Sequence, residues 1–456
     1  MDLLIMKNFS AVILAAGAGA RMKSSLPKVI HKLSGKPLVK WVIDSVSALK
    51  PDGIVLVLGH GTEVVEEYLS ESGIKIVYQR EQLGSGHALM QAEKVLKNYK
   101  GGILVVSADV PLVRSSTLSS LVSNNKKTGA SVTVLAARVE NPFGYGRIVR
   151  NGGFLEKIVE EKDATPAEKR IKEINSGIYC FDKNLWKALS KLKSNNANKE
   201  YYITDTVAIL KESGRKTSLV VVEDNYEVRG INNRSELSRA ESIVNNRKIK
   251  ELLSNGVSIV DADNVYISYD AKIGGDTVVY PGAFIDVGVS IGKNCIIRGA
   301  SYISNSKIGD ESAILYSYIE GAVIDKKVTV GPFSHIREGS VLRENVRIGN
   351  FSETKKAVIA KNSKVNHLSY IGDALVGKNV NIGAGTITCN YDGAKKHQTI
   401  IGSESFIGSN VNFVAPVKIG CGVLVAAGST ITHDVQSGKL VIARARQEVK
   451  RRRIDR

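Results

Sequence analysis

With 456 residues, the chain is too long for one ordinary hydrophobic core, so two or three domains are expected. Hydrophobic and charged fractions of 43% and 24% are those of a globular protein, which excludes a disordered or membrane-embedded chain. The net charge of +18 is scattered rather than gathered on one predicted helix, and aromatics make up only 6%; this disfavours nucleic acid and suits pockets for small anions.

The start, Met1 to Gly19, superficially resembles a signal peptide, but Asp2, Lys7 and Asn8 interrupt it, and Ala11 to Ala16 reads as a buried first strand. That strand runs into Gly17-Ala18-Gly19-Ala20-Arg21-Met22. Strand, glycine turn and helix together make a place where backbone N–H groups meet phosphate. The spacing matches neither the dinucleotide fingerprint nor the P-loop, and a lone G-x-G is as often a plain tight turn. Arg21 and the Lys28 of Leu26-Pro27-Lys28 strengthen the phosphate reading by adding two cations. The bare apolar runs Gly53–Gly59 and Gly102–Val106 predict further strands buried on both faces. The second leads into Ser107-Ala108-Asp109-Val110-Pro111. An Asp at the C-terminal end of a parallel strand sits where open α/β sheets place ligands, and suits Mg²⁺ beside phosphate oxygens. The competing role for Asp109 is a helix cap before Pro111.

A helix is expected over Asn233–Leu253, with Leu237, Ala240, Val244 and Leu252 loosely on one face, as a connector. Beyond it, apolar residues recur every six positions: Ile267, Ile273, Val279, Ile285, Ile291, Ile297 and Ile303, with one-residue slips before Ile308 and elsewhere, through to Ile431. This period predicts a parallel β-helix of hexapeptide repeats, three per triangular coil, the aliphatic side chains stacking on the axis. Gly, Asn or Asp commonly follows the aliphatic residue and is expected to take the corner conformations. The register is lost between Ile387 and Ile401, across Thr388 to His397, which predicts a projecting active-site loop. Four separated cysteines without a C-x-x-C pair fit reduced thiols in a cytosolic compartment, and no apolar run approaches transmembrane length. Lys450-Arg451-Arg452-Arg453 reads as a solvated tail.

Several segments together resemble the sugar-1-phosphate nucleotidyltransferases: Leu14-Ala15-Ala16-Gly17-x-Gly19-x-Arg21-Met22 with Lys28, Gln79-x-x-Gln82-Leu83-Gly84-Ser85-Gly86-His87-Ala88, Asn141 to Ile148, Ile158 to Ala164, Asn175-Ser176-Gly177 and Gly230 to Arg234. Fused to a hexapeptide helix carrying Asn366-His367-Leu368-Ser369-Tyr370 and Asn381 to Gly393, the chain from Ser10 to Arg444 is similar to the bifunctional N-acetylglucosamine-1-phosphate uridylyltransferases/glucosamine-1-phosphate N-acetyltransferases. The resemblance implies an α/β architecture. It comprises a Rossmann-like nucleotidyltransferase domain (1–232), a linker helix (233–253) and a left-handed parallel β-helix acetyltransferase domain (254–456).

By the same resemblance, the first domain joins UTP to N-acetylglucosamine-1-phosphate and releases pyrophosphate. Arg21 and Lys28 would serve the triphosphate, and Leu14, Ala15, Ala16 and Gly17 would line it. Gln79, Gln82, Gly84 and Ser85 would read uracil, Gly146, Glu160 and Asn175 would hold the sugar, and Asp109 with Asn232 would bind Mg²⁺. The second domain would move acetyl from acetyl-coenzyme A to glucosamine-1-phosphate. Its implied base is His367, oriented by Glu353. Arg337, Lys355, Tyr370, Asn381, Asn390, Tyr391 and Lys396 would hold the sugar phosphate. Ala384, Ser409, Ala427 and Arg444, with Asn390 and Tyr391, would meet coenzyme A. A homotrimer in the cytoplasm, with no nucleic-acid partner and no membrane insertion, is implied. Ala20, Ser85 and Ser107-Ala108 depart from the family's usual Thr, Thr and Tyr-Gly. Two rivals remain: a nucleotidyltransferase whose β-helix only assembles or regulates, as in ADP-glucose or GDP-mannose pyrophosphorylases, and a non-catalytic, translation-factor-like subunit.

Overall fold

The apolar runs of the first half become strands that need cover on both sides. In the computed structural model, which describes residues 8–17, 19–59, 62–69 and 73–451, the strands of the first half are β1 (Phe9–Ala15), a short hairpin β2 and β3 (Lys32–Leu33 and Lys36–Pro37), β4 (Ile54–Leu58), β5 (Lys75–Tyr78), β6 (Gly102–Ser107), β7 (Val132–Arg138), β8 (Arg147–Asn151), β9 (Phe154–Val159), β10 (Glu173–Phe181) and β11 (Thr217–Val222), the apolar runs being β1, β4 and β6. Ala18 of the glycine turn, the start up to Lys7, and Arg452 and Arg453 of the basic run lie outside the described residues. The sheet runs β11-β7-β10-β6-β1-β4-β5, with β8 and β9 as a hairpin off β10. β1 is parallel to β4 and β6, whereas β10 is antiparallel to β6 and β7. Val12 and Ile13 point to opposite faces and enter different core clusters, both fully buried. That two-sided burial is why β1 reads as an unbroken apolar run rather than an alternating one.

The expected β-helix is present. Strands of two to four residues pair in parallel with the strand three positions later, giving three stacked sheets. Every aliphatic residue of the six-residue pattern from Ile267 to Ile431 is buried in a single core. The break in the pattern between Ile314 and Ile324 is filled by Ile319, also fully buried, after a five-residue step. Thr354 and Thr388 occupy the same inward position as the aliphatics: Thr354 sits opposite Ile371, and Thr388 opposite Phe413. The strand Ile387–Cys389 therefore stays on the wall, and the inserted loop is shorter than the sequence suggested.

Two residues before each aliphatic lies a second inward position, filled by small residues such as Ser312, Ser363 and Ser405. Their hydroxyls accept from backbone N–H groups of the next coil (Val328, Val380 and Val423), so these polar atoms are buried without cost of an unmade bond. The glycines after the aliphatics have a different reason from the one expected. Apart from Gly331 (φ +104°), they are absent from the left-handed region; the corners there belong to residues such as Asn294, Asn345 and Asn410. Gly349 is glycine because a Cβ would stand 2.0 Å from the Asn366 carbonyl of the next coil. Contact density divides the chain between Ser242 and Ile243 into two compact units. The helix expected over 233–253 runs Arg234–Ser254. Within the second unit its Ile249 and Leu252 join the β-helix core, and the Asn245 side chain bonds Val265 O and Ile267 N, closing the first coil.

Candidate active sites

The first site gathers at the C-terminal ends of β1 and β6. A cavity of 370 Å³ is lined by Leu14, Ala15, Ala16, Gly17, Lys28, Gln79, Gln82, Gly84, Ser85, Ser107 and Asp109, together with Val29, Ala88 and Glu200. Gly19 takes φ +64°, and a Cβ there would meet the Lys28 Cβ at 2.6 Å, so the turn backs directly onto the lysine it positions. Lys28 Nζ donates to Asp109 Oδ2 (2.5 Å) and to Asn232 Oδ1 (3.2 Å), and Arg21 donates to the same Asn232 oxygen at 3.0 Å. Asp109 thus faces the cavity rather than capping a helix. The Asp109 and Asn232 oxygens converge on one cationic group, and two hard oxygen donors beside a phosphate-sized space fit Mg²⁺. The helix that follows, Ser115–Thr128, has Arg114 at its N-cap.

Gly84 has φ +105°, and a Cβ would fall 2.7 Å from Tyr201 O, which fixes the loop that carries Ser85. Gln82 donates to Ala16 O (3.1 Å). Farther along, Gly146, Glu160 and Asn175 come together: Asn175 N donates to Gly146 O at 2.9 Å, and a Cβ on Gly146 would lie 3.5 Å from Glu160 Oε1. Burial pushes the Glu160 carboxyl above its usual range, opposed by the Thr204 hydroxyl, which donates to it at 3.0 Å; nearby Asp205, Asp163 and Glu200 push the same way as burial.

The second site lies on the β-helix wall. His367 is exposed, and its Nδ1 contacts Asn350 Oδ1 at 2.8 Å. Asn350 and His367 are direct partners in register on adjacent coils. With the Nδ1 proton given to Asn350, the lone pair is left on Nε2, as a general base needs. Glu353, expected to orient this ring, instead accepts from Arg337 at 2.7 Å. The reason is its place round the coil, opposite Tyr370 on the adjoining wall rather than opposite His367 at the corner. The Lys355 ammonium is held below its usual range, first by the adjacent Lys396 and then by Arg337; three cations crowd one spot, as a phosphate site requires. Asn390 donates to Asp373, and Asp392 closes the inserted loop by accepting from the Ala394 and Lys395 amides (each 2.7 Å) and pairing with His397. Tyr391 bridges to Lys396 and is 61% exposed. Asn381 lies on the wall between Lys364 and Phe406.

Ala384, Ser409, Ala427 and Arg444 stack in one column below His367. Gly385 N reaches His367 O (3.3 Å), Asn410 N reaches Ala384 O (2.7 Å), Gly428 N reaches Ser409 O (2.8 Å), and Arg444 donates to Ala427 O (3.0 Å). Small side chains therefore follow one another down this corner to the Arg444 cation.

Over its length the chain is 47% identical to the bifunctional protein GlmU of Acetivibrio thermocellus, covering 98% of this chain and 97% of that one. It is 48% identical to the GlmU proteins of Caldicellulosiruptor saccharolyticus and Caldanaerobacter subterraneus, each over 97% of this chain and 96% of the relative. The chain belongs to the bifunctional GlmU family. Models of a MobA-like NTP transferase domain, a GMPPB C-terminal domain and the hexapeptide repeat of succinyl-transferase match residues 11–208, 262–350 and 398–433. Three features of this family member escape the sequence: the Asn350 partner of His367, Glu200 at the cavity wall, and Ser107, whose hydroxyl donates to Asp109 Oδ1 at 2.7 Å. Asn350 had a signal, one coil's length (17 residues) before His367; Glu200 had none.

Proposed function

We propose that the two sites work in sequence on one product. The chain is a bifunctional transferase. Its β-helix acetylates glucosamine-1-phosphate from acetyl-coenzyme A, and its first unit then transfers uridylyl from UTP to N-acetylglucosamine-1-phosphate, releasing pyrophosphate. The observation that carries the double reading is His367 paired to Asn350 at the head of the Ala384–Arg444 column, beside the Arg337, Lys355 and Lys396 cluster. A β-helix used only for assembly would need none of these.

In the acetylation, Nε2 of His367 takes a proton from the sugar amine, which attacks only when neutral. Arg337, Lys355 and Lys396 hold the phosphate, with Tyr370, Asn381 and Asn390 closing on the sugar. Coenzyme A lies along Ala384, Ser409 and Ala427, near Tyr391, with Arg444 on its phosphates. In uridylyl transfer, positioning and charge neutralisation do most of the work. Arg21 and Lys28 neutralise the triphosphate and the departing pyrophosphate. Leu14 to Gly17 present backbone to it; Gln79, Gly84 and Ser85 hold the base; Gly146, Glu160 and Asn175 hold the sugar. Asp109 and Asn232 would hold Mg²⁺, which when bound would supply further charge neutralisation for the phosphates.

The functional boundaries we assign are 1–232, 233–253 and 254–456, and the assembly a cytoplasmic homotrimer. Among the described residues no helix is long and apolar enough to cross a membrane. A stack of outward rings, Tyr266, Phe284, Tyr302 and Tyr318, with centroids 4.3, 5.5 and 4.6 Å apart, supports packing of another copy. The decisive assay supplies glucosamine-1-phosphate and acetyl-coenzyme A and follows free thiol. Thiol release together with UDP-sugar formation from UTP is expected. UDP-sugar formation without thiol release would reduce the protein to a nucleotidyltransferase with a structural β-helix.

A further inference from the structure

His87, the third residue of the helix Ser85–Gln91, is not among the cavity-lining residues yet contacts Gln79, which is. Gln79 is 5% exposed, and its Nε2 donates to Gly84 O at 3.0 Å while lying 3.1 Å from His87 Nδ1. A primary amide nitrogen has two hydrogens. Both are taken if Nδ1 accepts, and the Oε1 atom, which meets no donor among the described residues, is left as an acceptor. Gly84 O alone sets which way round the amide sits but allows it to swing about that bond; the ring supplies the second point.

A neutral imidazole accepts at one nitrogen only. The Gln91 amide lies 3.3 Å from His87 Nε2 and also bonds His87 O at 3.1 Å, so two amides compete for one ring. Gln79 has the shorter contact and is buried. His87 and Gln91 line a separate 650 Å³ cleft, in which water can accept from an Nε2–H and Gln91 can turn away. The Nε2–H tautomer satisfies the buried side.

We propose that His87 is a positioning residue which locks the Gln79 carboxamide with its oxygen toward the base, so that the cavity selects a pyrimidine with a ring N–H donor. Uracil offers that hydrogen at N3, whereas cytosine presents a lone pair there and would face another acceptor. The proposal rests on the uridine-nucleotide reading of this cavity.

The test compares kcat/KM for UTP and CTP, with N-acetylglucosamine-1-phosphate and Mg²⁺, in the full-length protein. His87→Ala should lower the UTP:CTP ratio roughly tenfold or more, mainly through KM for UTP, the scale of one hydrogen bond lost at a buried amide. His87→Asn puts an amide oxygen near the Nδ1 position and should restore most of the ratio. An unchanged ratio in His87→Ala, an equal fall for both nucleotides, or no recovery in His87→Asn overturns the lock. Gln79→Ala separates the two levels: if it moves the ratio and His87→Ala does not, the lock alone fails, and if neither moves it, the base-reading role of Gln79 fails with it. In wild-type protein labelled with ¹⁵N-histidine, long-range ¹H–¹⁵N correlation should find the His87 proton on Nε2. A proton on Nδ1 overturns the proposal without any variant.

Discussion

At the scale of single residues, both sites depend on who holds a proton. In the proposed acetyl transfer, His367 acts through the nitrogen that Asn350 leaves free. His367→Ala should therefore cost acetyl transfer about 10²- to 10⁴-fold, the range of a positioned general base. Asn350→Ala, which keeps the ring but frees its tautomer, should cost nearer tenfold, and neither should alter uridylyl transfer. Thiol-release kinetics against UDP-sugar formation check both; an Asn350 variant with unchanged kcat would remove that residue from the account. Glu160 offers a test in stability. Burial raises its folded-state value above the ordinary 4.5, so the folded chain holds this proton more tightly than the unfolded one. The resulting stabilisation is present below 4.5 and is lost as pH rises through the folded value, leaving a desolvated carboxylate as a cost. Glu160→Gln keeps an acceptor for Thr204 and removes that cost. It should resist urea better than wild type at pH 8, with the gap closing near pH 4, while sugar-phosphate affinity falls. Equal or lower resistance at pH 8 would contradict the burial argument.

Among the elements, the coil is the unit that sets spacing. After several of the aliphatics adjacent coils approach so closely that Gly349, Gly292 and Gly383 have backbone of the next coil within 2.0–2.6 Å of where a Cβ would be. At Gly349 the opposed atom is the Asn366 carbonyl, in the residue before His367. Gly349→Ala must push apart the coils that carry Asn350 and His367. An overpacked site of this kind costs about 1–3 kcal/mol. The expected result is a lower melting temperature and a loss of acetyl transfer exceeding the loss of folded protein, with uridylyl transfer kept. Acetyl activity matching wild type would mean that the coils yield without moving the His367–Asn350 pair. The glycine turn after β1 works on the same principle, since Gly19 lets the chain press against Lys28 and set its reach to Asp109.

For the whole molecule, the proposed trimer carries its own prediction. Stacked rings along one wall, with Phe284 and Tyr318 about two-fifths exposed, leave apolar surface for a second copy to cover. Light scattering should give three times the 49.2 kDa chain mass. On dilution below the association range, acetyl transfer should fall with the mass and uridylyl transfer should not. Full acetyl activity at single-chain mass would place that site within one subunit.

The sequence by itself determined a multi-unit plan, three central strands of the first sheet (β1, β4 and β6) and the β-helix, because unbroken apolar runs and a six-residue period are local signals that survive without knowledge of neighbours. It also placed most of the cavity-lining residues, though not Val29, Ala88 or Glu200, and the members of the Lys28–Asp109–Asn232 cluster, through motifs whose order along the chain carries their meaning. Only tertiary structure decided the partners. Which residue faces His367 depends on coil register, so Asn350 rather than Glu353 takes the ring. Why glycine follows some of the aliphatics, as at Gly349, Gly292 and Gly383, depends on the distance to the next coil, a contact between residues 17 to 25 apart in these cases that no local pattern records. The hydroxyl of Ser107 on Asp109, and His87 on Gln79, belong to the same class: single contacts set by how elements pack, and therefore invisible until they do.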